Sequence, residues 1–96
     1  MNIDLSQIES ATETLKAIAH PTRIAMVGLL DNGAELSVTE IYEALQIEQA
    51  VASHHLSILK NKDVLEVNRV GKNCFYKLKY PQLSQILTCI ATCHKK

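Results

Sequence analysis

No apolar run in this 96-residue chain approaches the roughly 18–20 residues of a membrane-spanning helix, so no membrane partner is expected. The N-terminus, Met1-Asn2-Ile3-Asp4, is acidic and lacks the charged-then-apolar layout of a secretion signal, which makes the cytoplasm the expected location. Cysteine is scarce: Cys74, Cys89 and Cys93 are an odd set, and none precedes Asn73. That excludes a disulfide framework and fits a reducing compartment. Net charge is also missing, with ten bases balanced by ten acids. Low-complexity segments, internal repeats and linkers are absent, so residues 1–96 read as one small domain whose core gains from dimerisation. No nucleophile with its base, phosphate-cradling glycine loop or pair of acid/base carboxylates can be assembled, so an enzyme is not expected and no cofactor is called for.

What the chain does contain is a sharp separation of charge. Residues 1–48 hold two bases and eight acids, a net of −6; residues 49–96 hold eight bases and two acids, a net of +6. Phosphate attraction depends on the local field, because charges are screened beyond about 8 Å at physiological salt. The basic half is therefore the half to examine for a polyanion partner.

Within it, Gln49-Ala50-Val51-Ala52-Ser53-His54-His55-Leu56-Ser57-Ile58-Leu59 has helical spacing. Ala52, His55, Leu56 and Leu59 share one face, which makes His55 a core histidine; Gln49, Ala50, Val51, Ser53 and His54 point elsewhere. Small residues permit close approach to a duplex. Gln can bond bidentately to adenine, Ala or Val can touch a thymine methyl, and Ser and His can reach bases or phosphates. These five are the candidate DNA-reading residues. Upstream, Ser37-Val38-Thr39-Glu40 is a capping box opening a helix to Leu45, with Gln46-Ile47-Glu48 as the turn and the second helix running to about Asn61. Downstream, Val64–Val70 and Cys74–Leu78 alternate and are β-rich, flanking Gly71-Lys72-Asn73 as a hairpin tip. Phe75 and Tyr76 alternate across the second strand. Arg69, Lys72 and Asn73 are the candidate contacts of this wing, while Lys60 and Lys62 read as solvated. The order helix, turn, helix, basic hairpin predicts a mainly α fold with a two-stranded β-hairpin, a winged helix-turn-helix.

Toward the N-terminus, Ser6 and Glu9 are spaced as a capping box for a first helix to about Ala19. His20-Pro21 breaks that helix, with His20 expected to cap or pack locally. Pro21 opens a second helix to Leu30, apolar nearly all round and so expected to be the central buried one, with Asp31-Asn32-Gly33 as its terminating turn. Pro81 is expected to open a last helix. Leu5, Ile8 and Leu15 on the first helix and Leu83, Ile86, Leu87 and Ile90 on the last form stripes that the helix-turn-helix does not need. They are expected to pair the terminal helices of two copies as a homodimer, and two-fold symmetry suits a palindromic DNA site.

With these residues in view, the chain resembles the ArsR/SmtB-type family of winged-helix repressors. The segments that carry the likeness are Leu15-Lys16-Ala17-Ile18-Ala19-His20-Pro21-Thr22-Arg23-Ile24, Glu35 to Ile41, Gln49 to Leu59, Val70-Gly71-Lys72 and Phe75 to Leu78. The resemblance implies a homodimer that sits on operator DNA and blocks transcription until a signal loosens it. It does not carry over the family's metal sites. One such site uses cysteines around the segment matching Glu35 to Glu40, which here has none. Another uses an Asp and a His at the start of the last helix and a His or Glu near its end, where this chain has Tyr80, Gln82, Cys93 and Lys96, mostly poor ligands. Members often have a small hydroxyl residue at the turn where this chain has Glu48, a carboxylate that repels phosphate.

Cys89 and Cys93, spaced i,i+4 and followed by His94, form the one candidate redox or soft-metal cluster. Two alternatives to a plain repressor follow: a thiol- or metal-responsive repressor using that pair, and a winged-helix module that binds protein without DNA. The sequence names no inducer, small-molecule or redox.

Overall fold

The computed structural model describes residues 4–93, so His94 of the cysteine cluster and the position held by Lys96 lie outside the described residues. Helix α1 spans Leu5–Ile18. Its capping box differs from the expected Ser6/Glu9 pair. The Asp4 carboxylate accepts from Gln7 N–H over 2.9 Å, and Gln7 Oε1 accepts from Asp4 N–H over 3.0 Å. An aspartate two residues upstream of Ser6 offers a charged acceptor, and the Ser6 hydroxyl donates to it instead of capping. That hydroxyl and the Gln7 N–H hold the Asp4 carboxyl below its usual range.

The chain turns at His20, whose Nδ1 accepts from Thr22 N–H over 3.1 Å and caps α2, Pro21–Leu29. Pro21 occupies the first turn, where a missing N–H costs nothing. Met26 and Val27 of α2, and Leu30 just beyond it, are fully buried. The expectation of a helix buried on all sides needs correction, because Ile24 is exposed and Gly28 also faces outward. Apolar composition announces a need for burial but does not say within which molecule. A 3-10 turn, Asp31–Gly33, follows, with Asn32 in the left-handed region at φ 59°.

Leu36–Ser37 form a two-residue strand, β1, and Ser37 then caps α3, Val38–Leu45. One extended residue serves both ends because an N-cap and a strand need the same backbone conformation. The expected capping box is present: Glu40 N–H donates to Ser37 Oγ over 3.1 Å, and Ser37 N–H donates to Glu40 Oε1 over 2.9 Å. Ser37→Ala should therefore cost about 1 kcal/mol of stability. Chemical denaturation checks this, and an unmoved midpoint would show that the box contributes nothing in solution.

Gln46 is left-handed at φ 56°, and Ile47 N–H donates back to the Tyr42 carbonyl over 3.1 Å, which closes α3 and turns the chain into α4, Gln49–Asn61. The same device ends α4: Asp63 sits at φ 60°, and Val64 N–H donates to the Leu59 carbonyl over 2.9 Å. Strands β2, Leu65–Val70, and β3, Asn73–Leu78, pair antiparallel from Leu65↔Leu78 to Val70↔Asn73. Asn73 thus belongs to the strand, and the turn is Gly71-Lys72, with the positive φ at Gly71 that the first position of a II′ hairpin turn requires.

The sheet has three strands in the order β1-β3-β2, one more than the hairpin expected from sequence. Leu36↔Tyr76 and Ser37↔Phe75 tie the segment before α3 to the wing. A strand of two residues is too short to show alternation. Helix α5 spans Leu83–Cys93 and begins later than Pro81. Leu83, Ser84 and Gln85 N–H groups bond three residues back, to Tyr80, Pro81 and Gln82, so the entry is a tighter turn before the helix proper. The core gathers Met26, Val27 and Leu30 with Ile41, Leu56, Leu59, Val64, Leu65 and Leu78, and Ala17 and Ile18 close one end.

Candidate nucleic-acid interface

Helix α4 divides as its spacing requires. Ala52, Leu56 and Leu59 are fully buried and His55 nearly so. Gln49, Ala50, Val51, Ser53 and His54 are all exposed, Val51 at 41%. Helix α3 packs against α4 and fixes it as the second arm of a helix-turn-helix. Glu48 occupies the N-cap without a side-chain hydrogen bond, so its carboxylate does not cap the first N–H groups of α4.

On the wing, Arg69, Lys72 and Asn73 are exposed. The ion pairs at its base use other cations. Lys77 Nζ lies 3.4 Å from Glu66 and 3.8 Å from Glu35, and Lys79 Nζ lies 3.4 Å from Asp63. Exposed pairs of this kind add little stability. Their effect is to neutralise the base of the wing, so its uncompensated charge sits toward the tip, at Arg69 and Lys72 among the described residues. Lys60 is exposed and Lys62 pairs with Glu13, consistent with solvated side chains.

The residues expected at a dimer interface divide into two groups. Leu15, Leu83, Ile86, Leu87 and Ile90 converge on one apolar groove of about 230 Å³, floored by Ile18 and Val27. Leu83 and Leu87 are half-buried against the core, whereas Leu15 is 53% exposed, Ile86 39% and Ile90 51%. Leu5 and Ile8 are exposed further along α1 and do not line that groove. Ile24 of α2 does line it, which sequence reading missed by assigning that residue to the interior. Cys89 and Cys93 are free thiols exposed on α5, and Cys74 is a half-buried free thiol in β3. Among the described residues, no three His, Cys, Asp or Glu side chains gather where a metal ion could be held.

Sequence reading also missed a polar junction beneath the outward face of α4. Arg23 Nε donates to His55 Nδ1 over 3.1 Å, and Arg23 Nη1 donates to the Ala17 carbonyl over 3.0 Å. The His20 and His55 rings lie 4.6 Å apart, and His54 meets His55 edge-on at 5.5 Å. Burial, then the positive charges of His20, Arg23 and His54, push the His55 imidazole below its usual pKa. The available signal was a lone charged residue in an otherwise uncharged helix, but its partner lies 32 residues away.

Comparison with known proteins gives a consistent result. A family model described as a helix-turn-helix domain matches residues 18–68. The chain is 34% identical over 85 residues to the transcriptional repressor PagR of Bacillus anthracis, covering 88% of this chain and 85% of that protein. It is 33% identical to the HTH-type transcriptional regulator NmtR of Mycobacterium tuberculosis, over 88% of this chain and 70% of that one. The crystal structure of PagR superposes with a TM-score of 0.81 at 32% identity, covering 91% of this chain and 99% of that one. The transcriptional repressor BigR of Xylella fastidiosa gives 0.83 at 26% identity, covering 95% and 92%.

Proposed function

Because the chain belongs to the helix-turn-helix family of ArsR/SmtB-type winged-helix transcriptional regulators, we propose that it is a repressor that binds a palindromic operator as a homodimer. The family is one of regulators rather than enzymes. The observation that carries the proposal is the division of α4. One face is locked into the core, and the other is a bare surface of Gln, Ala, Val, Ser and His. Side chains of these kinds suit the major groove, where small residues admit the backbone and Gln, Ser and His reach base edges or phosphates. The uncapped N–H groups at the start of α4 are complementary to a phosphate. Arg69, Lys72 and Asn73 then lie against the adjacent sugar-phosphate backbone, which counters the repulsion from Glu48.

The dimer follows from the groove between α1, α2 and α5. A second copy seated there buries Leu15, Ile24, Ile86 and Ile90, which one chain leaves in water. Two reading helices related by a two-fold axis match two half-sites about one helical turn apart. Glu35 to Glu40 hold no cysteine, and Tyr80 and Gln82 stand where one family site has Asp and His, which supports a repressor without those two metal sites.

Ser53→Glu should weaken operator binding about tenfold by placing a carboxylate against the duplex, with the melting temperature almost unchanged because Ser53 is exposed. Arg69→Glu with Lys72→Glu should weaken binding across all sequences and flatten its salt dependence by about one unit of slope per lost contact. Mobility-shift titrations at several salt concentrations test both. Wild-type affinity in either variant would reject the assignment.

A further inference from the structure

Arg23 is the only charged residue of α2, and it joins three helices. It is held on the Ala17 carbonyl at the end of α1 and donates through Nε to His55 Nδ1 on α4. A guanidinium is always protonated and has nothing to accept with, so this bond requires a bare Nδ1 and puts the imidazole proton on Nε2. His20, its ring tilted against that of His55, likewise presents Nδ1 as the acceptor that caps α2. Two adjacent imidazoles are therefore both used as acceptors. A proton on either removes an acceptor that a neighbour depends on, and both acceptors lie where α2 meets the reading helix.

We propose that Arg23 is a positioning residue for DNA reading: through neutral His55 it fixes the seat of α4 against α2, and protonation of His55 releases that tie and weakens operator binding. The proposal rests on α4 being the reading helix. Truncating the side chain of Arg23 leaves His55 Nδ1 without its donor. Protonating His55 is more severe, because it sets an imidazolium against a guanidinium.

Among the described residues, no carboxylate acts on the His55 ring. The groups acting on the His55 ring are His20, Arg23 and His54, all cationic or able to become so. The acids on the elements packed against α4 are engaged elsewhere or face solvent. Glu9 of α1 is exposed, Glu13 of α1 pairs with Lys16 and Lys62, Glu40 of α3 closes its capping box, Glu43 of α3 is exposed, and Glu66 of β2 pairs with Lys77. His55 in this seat is harder to protonate than a free histidine. Protons therefore favour arrangements in which the tie is broken, and the seated form is complete above the usual histidine value of about 6.5 and declines below it. His54, exposed on the outward face, is the same in every protein compared and so drops out of a difference between variants.

The test uses the full chain and the duplex found by footprinting the region upstream of its own gene. Affinity is measured by fluorescence anisotropy at about pH 7.5 and about pH 5.5 at one ionic strength. In His55→Asn the amide oxygen takes the place of Nδ1 as an acceptor and does not titrate. Acidification should cost the wild type about tenfold more affinity than it costs this variant. Arg23→Gln should bind about tenfold more weakly at the higher pH and show the flatter pH course. Long-range proton–nitrogen NMR of the wild type should show His55 Nδ1 unprotonated at about pH 7.5, with His55 titrating below the ordinary histidine range. If His55→Asn does not fold, the NMR measurement and Arg23→Gln decide. The same pH course in all three proteins, or a proton on His55 Nδ1, overturns the positioning role and leaves DNA binding standing. Wild-type failure to bind any duplex at either pH overturns the DNA-reading role and this proposal together.

Discussion

Ile86→Glu combined with Ile90→Glu should hold the protein as a monomer and lower its operator affinity by at least about a hundredfold. Both side chains stand at the mouth of the groove between α1, α2 and α5, one turn apart on α5 and substantially exposed in a single chain. In the monomer a glutamate at either position reaches water at little cost. In the proposed dimer it would be shut against Leu15 and Ile24 of a second copy, and an unpaired buried carboxylate costs several kcal/mol. The loss at DNA is larger than the loss of area suggests, because each protomer then finds its half-site alone. A linked pair of modules gains about 10²–10⁴ in affinity over a single one. Leu83, Ser84 and Leu87, which hold α5 to its own chain, are left in place, so circular dichroism and the melting transition should show a folded monomer. Light scattering and anisotropy together decide the outcome. A variant that stays dimeric would move the interface to another face.

Leu56→Ala should destabilise the fold by about 2–5 kcal/mol, a large part of the roughly 5–15 kcal/mol available to a domain of ordinary stability. Leu56 is fully buried at the middle of α4, in one core with Met26, Leu30, Ile41 and Leu59. Removing it leaves a cavity against helices that cannot all move in to fill it. The neighbouring substitution Ser53→Ala, one turn earlier on the exposed face, should change stability by no more than about 0.5 kcal/mol. Urea denaturation of the two variants therefore reads the inward and outward faces of the same helix. Similar midpoints would contradict the orientation of α4 on which the DNA-binding proposal depends.

Much of this architecture was legible in the chain, and the legible parts share a physical cause. The Ser37/Glu40 box, the turn at Gln46-Ile47-Glu48, the limits of α4 and the hairpin around Gly71 are set by bonds among residues a few positions apart. The two faces of α4 follow from helical period alone. Where local signals competed, the reading slipped: Asp4 took the cap expected of Ser6, and the tight turn at Tyr80–Gln82 delayed α5 past Pro81. The five residues expected to face outward on α4 are exposed, and of the two apolar stripes Leu15, Leu83, Ile86, Leu87 and Ile90 line one groove while Leu5 and Ile8 lie apart from it.

The sequence by itself determined the order of elements, the side of α4 that turns inward, and the concentration of positive charge in the second half of the chain. Tertiary structure alone decided that Ser37 adds a third strand beside Phe75, that Ile24 surfaces in a groove with Leu15 and Ile90, and that Arg23 meets His55. The reason is range. Periodicity and capping report forces that act within one or two turns of the backbone. Contacts between distant segments depend on how whole helices settle against a shared core, and no local pattern of residues records that.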